Sequence, residues 1–298
     1  MSQNSSTSGG GFPVKIINDR IIIVQVSIAV FLSINFFLLS TFFRREVFYN
    51  TMRYILFAET LLSDCLFLIL TDSLLILSFF GCTMQTWLCL FIYIILSVYS
   101  FVTPITLTAM TLERYVAICM PLRHAELCTP HGALQLILII HSISAVSCTV
   151  NLSIFFCSKM FILFSWQGHL RSAISQFYFL IMAIVIVISY VKILKVAKTA
   201  SGENKKSTWK GLRTVTLHGF QLLLCLIQLW SPFIEAAVFN VDPIVYRNVR
   251  FFNYIVFFLA PRCLSPLIYG LRDELFFQAL KYYALRGLAH CKGTKIRT

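Results

Sequence analysis

Long stretches without a charged side chain alternate with short polar breaks along this chain. Ile21 to Phe43 runs for 23 positions without Asp, Glu, Lys or Arg, and Trp87 to Thr111 for 25. At about 1.5 Å per helical residue, each run is long enough to cross a hydrocarbon core about 30 Å thick. The pattern predicts spans near 21–43, 54–80, 87–112, 133–156, 171–192, 212–236 and 249–270. In lipid every backbone N–H and C=O needs an internal partner, so the expected fold is all-α. Short connections suit an antiparallel seven-helix bundle over 21–270. Residues 1–20 then form an outer tail. The segment 271–298 holds a short helix and a cytoplasmic tail, because Phe276, Phe277, Leu280, Tyr283 and Ala284 recur at helical spacing around Lys281. That amphipathic stretch, Glu274 to Arg286, suits the inner membrane surface. The only linker-like stretch, TASGENKKSTWKG at 199–211, is too short for a domain.

Composition agrees. The chain is 58% hydrophobic and 12% charged, about half the charge of a soluble domain. The opening MSQNSSTSGGG lacks the basic start and apolar core of a cleavable signal, so the first run is expected to remain as a span. The net charge of +13 would suit nucleic acid, but its distribution excludes that reading. On the span map 18 of the 25 Lys and Arg fall on one side and 6 on the other, with Arg262 inside the last span. This bias places the N-terminus outside and the C-terminus in the cytoplasm. Seven of the ten cysteines lie in spans or on the inner side; Cys82, Cys89 and Cys157 lie outside or at the outer edge. Oxidising conditions there predict one disulfide and one cysteine left over.

The third span ends abruptly in Glu113-Arg114-Tyr115, within LERYVAICMPLRH. Charge at a membrane helix end this close to the bundle reads as functional. Cys89 precedes Arg114 by 25 residues, about 37 Å of helix, so the two sit at opposite faces. Other spans carry Asn35, Asp64, Tyr190, His218, Pro232, and Pro266 with Tyr269 in LSPLIYGLRDELF. Together these markers resemble the rhodopsin-like G-protein-coupled receptors. VAIC with PLRH, TLHGFQ with His218, and PRCLSPLIYGLRDE resemble the fish-type odorant receptors among them, and the likeness covers about residues 20 to 286.

The resemblance implies a cytoplasmic switch. Arg114 would be released from Glu113 on activation and meet a heterotrimeric G protein of the stimulatory type, with Tyr190, Tyr269, His218 and Pro266 on partner helices. Read as plain chemistry, the tyrosines also fit an interfacial belt. Asp64 matches the family's sodium-site aspartate, but the usual seventh-helix asparagine is Ser265, and Arg262 lies one turn before Pro266. An unpaired arginine in a membrane is costly, so Arg262 is expected to pair with Asp64, or with Glu59, in place of sodium, or else to face a water-filled cavity.

Counting back from Arg114 by the helical period gives Met110, Leu107, Thr103, Ser100 and Leu96, an apolar face with two hydroxyls. Leu96 occupies the place of the aspartate that binds amines in related receptors. With Phe177 and Tyr178 from span five and Leu226, Leu229, Trp230 and Phe233 from span six, this suits a small, largely apolar odorant. Each of these residues also fits ordinary helix packing. The resemblance further implies a Cys89–Cys157 disulfide and a ligand lid in the second outer loop, yet only about 14 residues separate Phe156 from span five. A loop-deleted receptor that does not signal is therefore one alternative, and a seven-span transporter or channel another. Asn4 heads a glycosylation sequon, and Cys291 suits palmitoylation or a plain exposed thiol. His141 and His218 lie alone, without the spacing of a metal site. No enzyme motif is present, and the resemblance calls for no cofactor.

Overall fold

The computed structural model describes residues 11–160, 166–199, 202–239, 242–263 and 276–283, with side chains from residue 19 onward except at 147, 150–172, 202–207 and some positions between 228 and 243. All regular structure among them is helical. The long helices are α1 (Gly11–Phe43), α3 (Met52–Phe79), α4 (Thr86–Cys119), α6 (Pro130–Met160), α7 (Trp166–Thr199) and α8 (Gly202–Phe239). Two short ones, α2 (Glu46–Tyr49) and α5 (Pro121–Leu127), sit in connections where hydropathy marks only loops. The last long element begins as α9 (Pro243–Asn253), passes through a π-helical turn at Tyr254–Leu259, and continues to residue 263.

Each predicted span lies wholly or largely on one of these elements, and the helices overrun the spans at their ends. Length and apolarity alone let α1, α3, α4 and α7 cross a membrane, and α5 with the first part of α6 adds a fifth if that pair, bent by 77°, is counted as one span. This is a multi-pass membrane protein. The linker-like 199–211 is a correction: from Gly202 it belongs to α8. It holds no proline, and an adjoining amphipathic helix propagates into a polar stretch at little cost per residue.

α4 is the hub, packed against α3, α6, α7 and α8, while α1 leans on α3 and α9 on α8. One apolar cluster joins α1, α2, α3, α4 and α6 through Leu38, Phe48, Leu56, Leu61, Leu107 and Ile140. A second joins α4, α7 and α8 through Phe101, Phe179, Ile193 and Val215. Outward faces stay apolar, as Ile22, Ile23, Val26 and Val30 on α1 illustrate.

Residues 276–283 are helical and close the first cluster from below. Phe276 is buried against Phe48, Tyr54 and Phe57, with ring centroids 5.1, 6.2 and 5.6 Å away. The packed face is Phe276, Ala279, Leu280 and Tyr283, which keeps the i, i+3, i+4, i+7 spacing. Phe277, expected on that face, is exposed because it lies about 100° further round. Ala284 lies outside the described residues.

Candidate functional site

A charged cluster sits in the middle of the bundle. Asp64 on α3 is fully buried and Arg262 is 5% exposed. Arg262 Nη1 lies 2.9 Å from Asp64 Oδ1. Thr103 on α4 donates to the same oxygen at 3.0 Å and accepts from Arg262 Nη1 at 3.4 Å. The guanidinium lies against the face of Phe67, 3.4 Å from the ring centroid. The π turn helps place it: one extra residue there rotates the rest of the helix by about 100° relative to an unbroken α-helix. Glu59, the other partner considered for Arg262, instead has Oε1 3.5 Å from His141 Nε2 on α6. His141 is therefore not alone, and its ring meets Tyr99 edge-on. Asn35 is fully buried on α1.

Near the C-terminal end of α4, Glu113 is 7% exposed. Its Oε2 lies 3.6 Å from Arg114 Nε and its Oε1 3.4 Å from His124 Nε2. Local sequence explains why His124 returns to this point. Pro121 forces Met120 out of helical conformation (φ −138°) and then starts α5 at its first turn, where a missing N–H costs nothing. One turn later α5 offers His124 to Glu113. Tyr115 and Tyr190 both pack into the α4–α7–α8 cluster. His218 on α8 is fully buried, with Nδ1 3.1 Å from Thr111 Oγ1 on α4. Three residues on, Gln221 Nε2 donates to the Pro261 carbonyl at 2.7 Å. Pro266 and Tyr269 lie outside the described residues.

The expected ligand set divides. Ser100 and Thr103 line a cavity of only about 40 Å³, shared with Arg262 and Phe179. That holds a water or so, and no odorant. Leu96 is half-buried on α4. Tyr178 and Leu226 are half-buried in the α4–α7–α8 cluster. Phe177 is 62% and Trp230 49% exposed, and neither lines this cavity. The side chains of Leu229 and Phe233 lie outside the described ones. A much larger space, about 810 Å³, opens between α1, α3, α8 and α9, and among the described side chains none of the other seven expected residues lines it.

Residues 34–269 match the model of the rhodopsin-family 7 transmembrane receptors. The chain is 40% identical to odorant receptor 131-2 of Danio rerio over 99% of its own length and 95% of the relative's. It belongs to the odorant receptors of the rhodopsin family. Human olfactory receptor 52A5 is 28% identical over 66% of each chain. Galanin receptor 2b of Danio rerio is 23% identical over 67% of this chain and 57% of that receptor. A receptor of this family is not an enzyme.

In the receptor, α6 ends at Met160 and α7 starts at Trp166, so residues 161–165 are all that joins them. That connection is shorter than the roughly 14 residues expected, because both helices extend past their apolar runs. Cys89 is exposed near the N-terminal end of α4, and Cys157 falls on the last turn of α6 with its side chain outside the described ones. Asn4 and Cys291 also lie outside the described residues. Sequence reasoning missed His124 as a partner of Glu113; its only signal was the proline three positions earlier. The Thr111–His218 contact gives a direct prediction. Replacing His218 with leucine should cost about 1–3 kcal/mol of stability, read as a lower thermal midpoint of the purified receptor. Thr111→Ala should cost a similar amount, since it removes this partner of His218 and also the bond from the Thr111 hydroxyl to the Leu107 carbonyl at 2.9 Å. Combining the two should fall short of their sum.

Proposed function

We propose that the receptor takes a small-molecule odorant from outside the cell between its helices and activates a stimulatory heterotrimeric G protein inside. In this reading residues 21–270 form a seven-helix bundle in the plasma membrane. The glycosylated tail carrying Asn4 is outside, Cys89 bonds to Cys157, and the helix at 276–283 lies on inner-leaflet lipid. The arrangement at the inner end of α4 carries the reading. Arg114 is held only loosely by Glu113, at 3.6 Å, while His124 offers that carboxylate a second partner. Beside it, His218 and Tyr190 tie α8 and α7 to α4. A ligand that binds the active arrangement better shifts the population toward it. In that shift α8 moves outward, the Thr111–His218 contact parts, and Arg114 becomes available to the G protein, with Tyr115, Tyr190, Pro266 and Tyr269 completing the switch.

Surface-stained cells challenged with an odorant panel provide the test: at least one compound should raise cyclic AMP in a dose-dependent way. The short 161–165 connection favours a second reading, a receptor that reaches the membrane without signalling. Surface staining with no response to any compound, while related receptors respond, would select it. Solute flux without G protein would instead select a transporter.

A further inference from the structure

The larger cavity gathers more charged side chains than the small one beside Thr103. Its volume, about 810 Å³, lies within the ordinary range of small-molecule sites. Its apolar walls include Val24 from α1, Leu75 and Phe79 from α3, and Phe251 and Phe258 from the last helix. Among the described residues the rest of the lining includes three arginines, Arg20, Arg247 and Arg250, and a single carboxylate, Glu235. Arg247, Arg250, Phe251, Tyr254 and Phe258 succeed one another on one side of the last helix, so cation and apolar wall face the same space.

These arginines are placed without being neutralised. Arg20 Nη2 donates to Asn248 Oδ1 at 2.5 Å, and its guanidinium lies 5.3 Å from the Phe251 ring centroid. Arg250 donates to the Tyr246 hydroxyl at 3.4 Å. Asp242, the nearest acid in sequence to Arg247 and Arg250, is engaged as the cap of α9, accepting from Ile244 N at 2.7 Å. Glu235 accepts from Asn253 at 3.3 Å. Among the described residues no carboxylate comes within ion-pair distance of Arg20, Arg247 or Arg250. On the proposed orientation the outer side holds only six Lys and Arg, and three of them meet at this one cavity.

We propose that this cavity binds a small amphipathic anion. A carboxylate head takes charge-assisted hydrogen bonds from Arg247 and Arg250, with Arg20 supplying further positive potential, and an alkyl tail fills the apolar wall between α1, α3 and the last helix. Signalling by such a ligand rests on the receptor reading above; its binding does not.

The experiment uses the full-length receptor in nanodiscs of zwitterionic lipid, so that the probe is the added anion. Octanoate, octanol and octylamine are titrated against the thermal midpoint. Octanoate should raise the midpoint saturably, octanol should need about tenfold or more concentration, and octylamine should have no effect. Arg247→Gln with Arg250→Gln should abolish the preference for octanoate over octanol, and the two lysine substitutions should keep it. Equal effects of octanoate and octanol on the native receptor would overturn the proposal without any variant. So would an octanoate shift that survives both glutamine substitutions. Cyclic AMP measured alongside separates the two claims: octanoate binding without a response counts against the receptor reading alone, and responses to other odorants without octanoate binding count against this one alone.

Discussion

Replacing Arg262 with methionine should destabilise the receptor by about 3–5 kcal/mol, the usual cost of stranding one member of a buried ion pair. Asp64 has no exposure, and Oδ1 is the atom held by both Arg262 and Thr103. Without the guanidinium, a carboxylate in the bundle interior loses its cationic partner. Asp64→Leu should do comparable damage by stranding Arg262, whose other contacts among the described residues include Thr103 and the face of Phe67. Most proteins are stable by only about 5–15 kcal/mol, so either change should cut surface expression sharply. The combined Asp64→Leu and Arg262→Met variant should recover most of the loss, because an apolar pair of similar volume removes both desolvation penalties. The measurement is thermal midpoint and surface staining across the four proteins. A double variant as damaged as the singles would sink the idea that the pair is one energetic unit. Exchanging sodium for choline should leave the native midpoint unchanged, since the cation in this centre is already Arg262.

Arg114→Ala should have the largest effect on signalling and little on folding. Arg114 is partly exposed and its contact with Glu113 is long, at 3.6 Å. Glu113 keeps His124 as a partner when Arg114 is removed, so surface expression should stay near normal. The guanidinium is the group proposed to meet the G protein, and its loss should abolish ligand-driven cyclic AMP. Glu113→Gln should act in the opposite sense, raising ligand-independent cyclic AMP, because it frees Arg114 and leaves His124 with a weaker partner. Normal ligand responses from Arg114→Ala at equal surface staining would refute the switch.

Much of this architecture is legible in sequence because lipid simplifies the code. Charge-free runs of membrane length mark helices, and α1, α3, α4 and α7 follow them closely. Ends are less legible. α8 begins in a polar stretch that reads as a linker, and α6 and α7 overrun their apolar runs until 161–165 alone joins them. Helix propagation decides those boundaries, and hydropathy does not record it. Arg262 stands out as a lone cation in an apolar run, and a cost argument limits its partners to Asp64 and Glu59. Sequence puts Asp64 first and leaves Glu59 as the alternative, since both lie on α3 and the choice depends on the rotation introduced by the π turn.

The charged centres divide the same way. The order of Glu113-Arg114-Tyr115, His218 and the last-span motif is enough to establish an all-helical membrane receptor of the odorant type. It suffices because charges in lipid are costly enough to be sparse and informative. Which charge meets which is a matter of three-dimensional packing: Asp64 with Arg262, Glu59 with His141, Glu113 with both Arg114 and His124. Packing also settles where space remains. Helical period names the residues that face inward, but whether facing side chains interdigitate or leave a void depends on how the helices cross. Here they fill the α4–α7–α8 interface and leave the opening between α1, α3, α8 and α9, where three arginines gather.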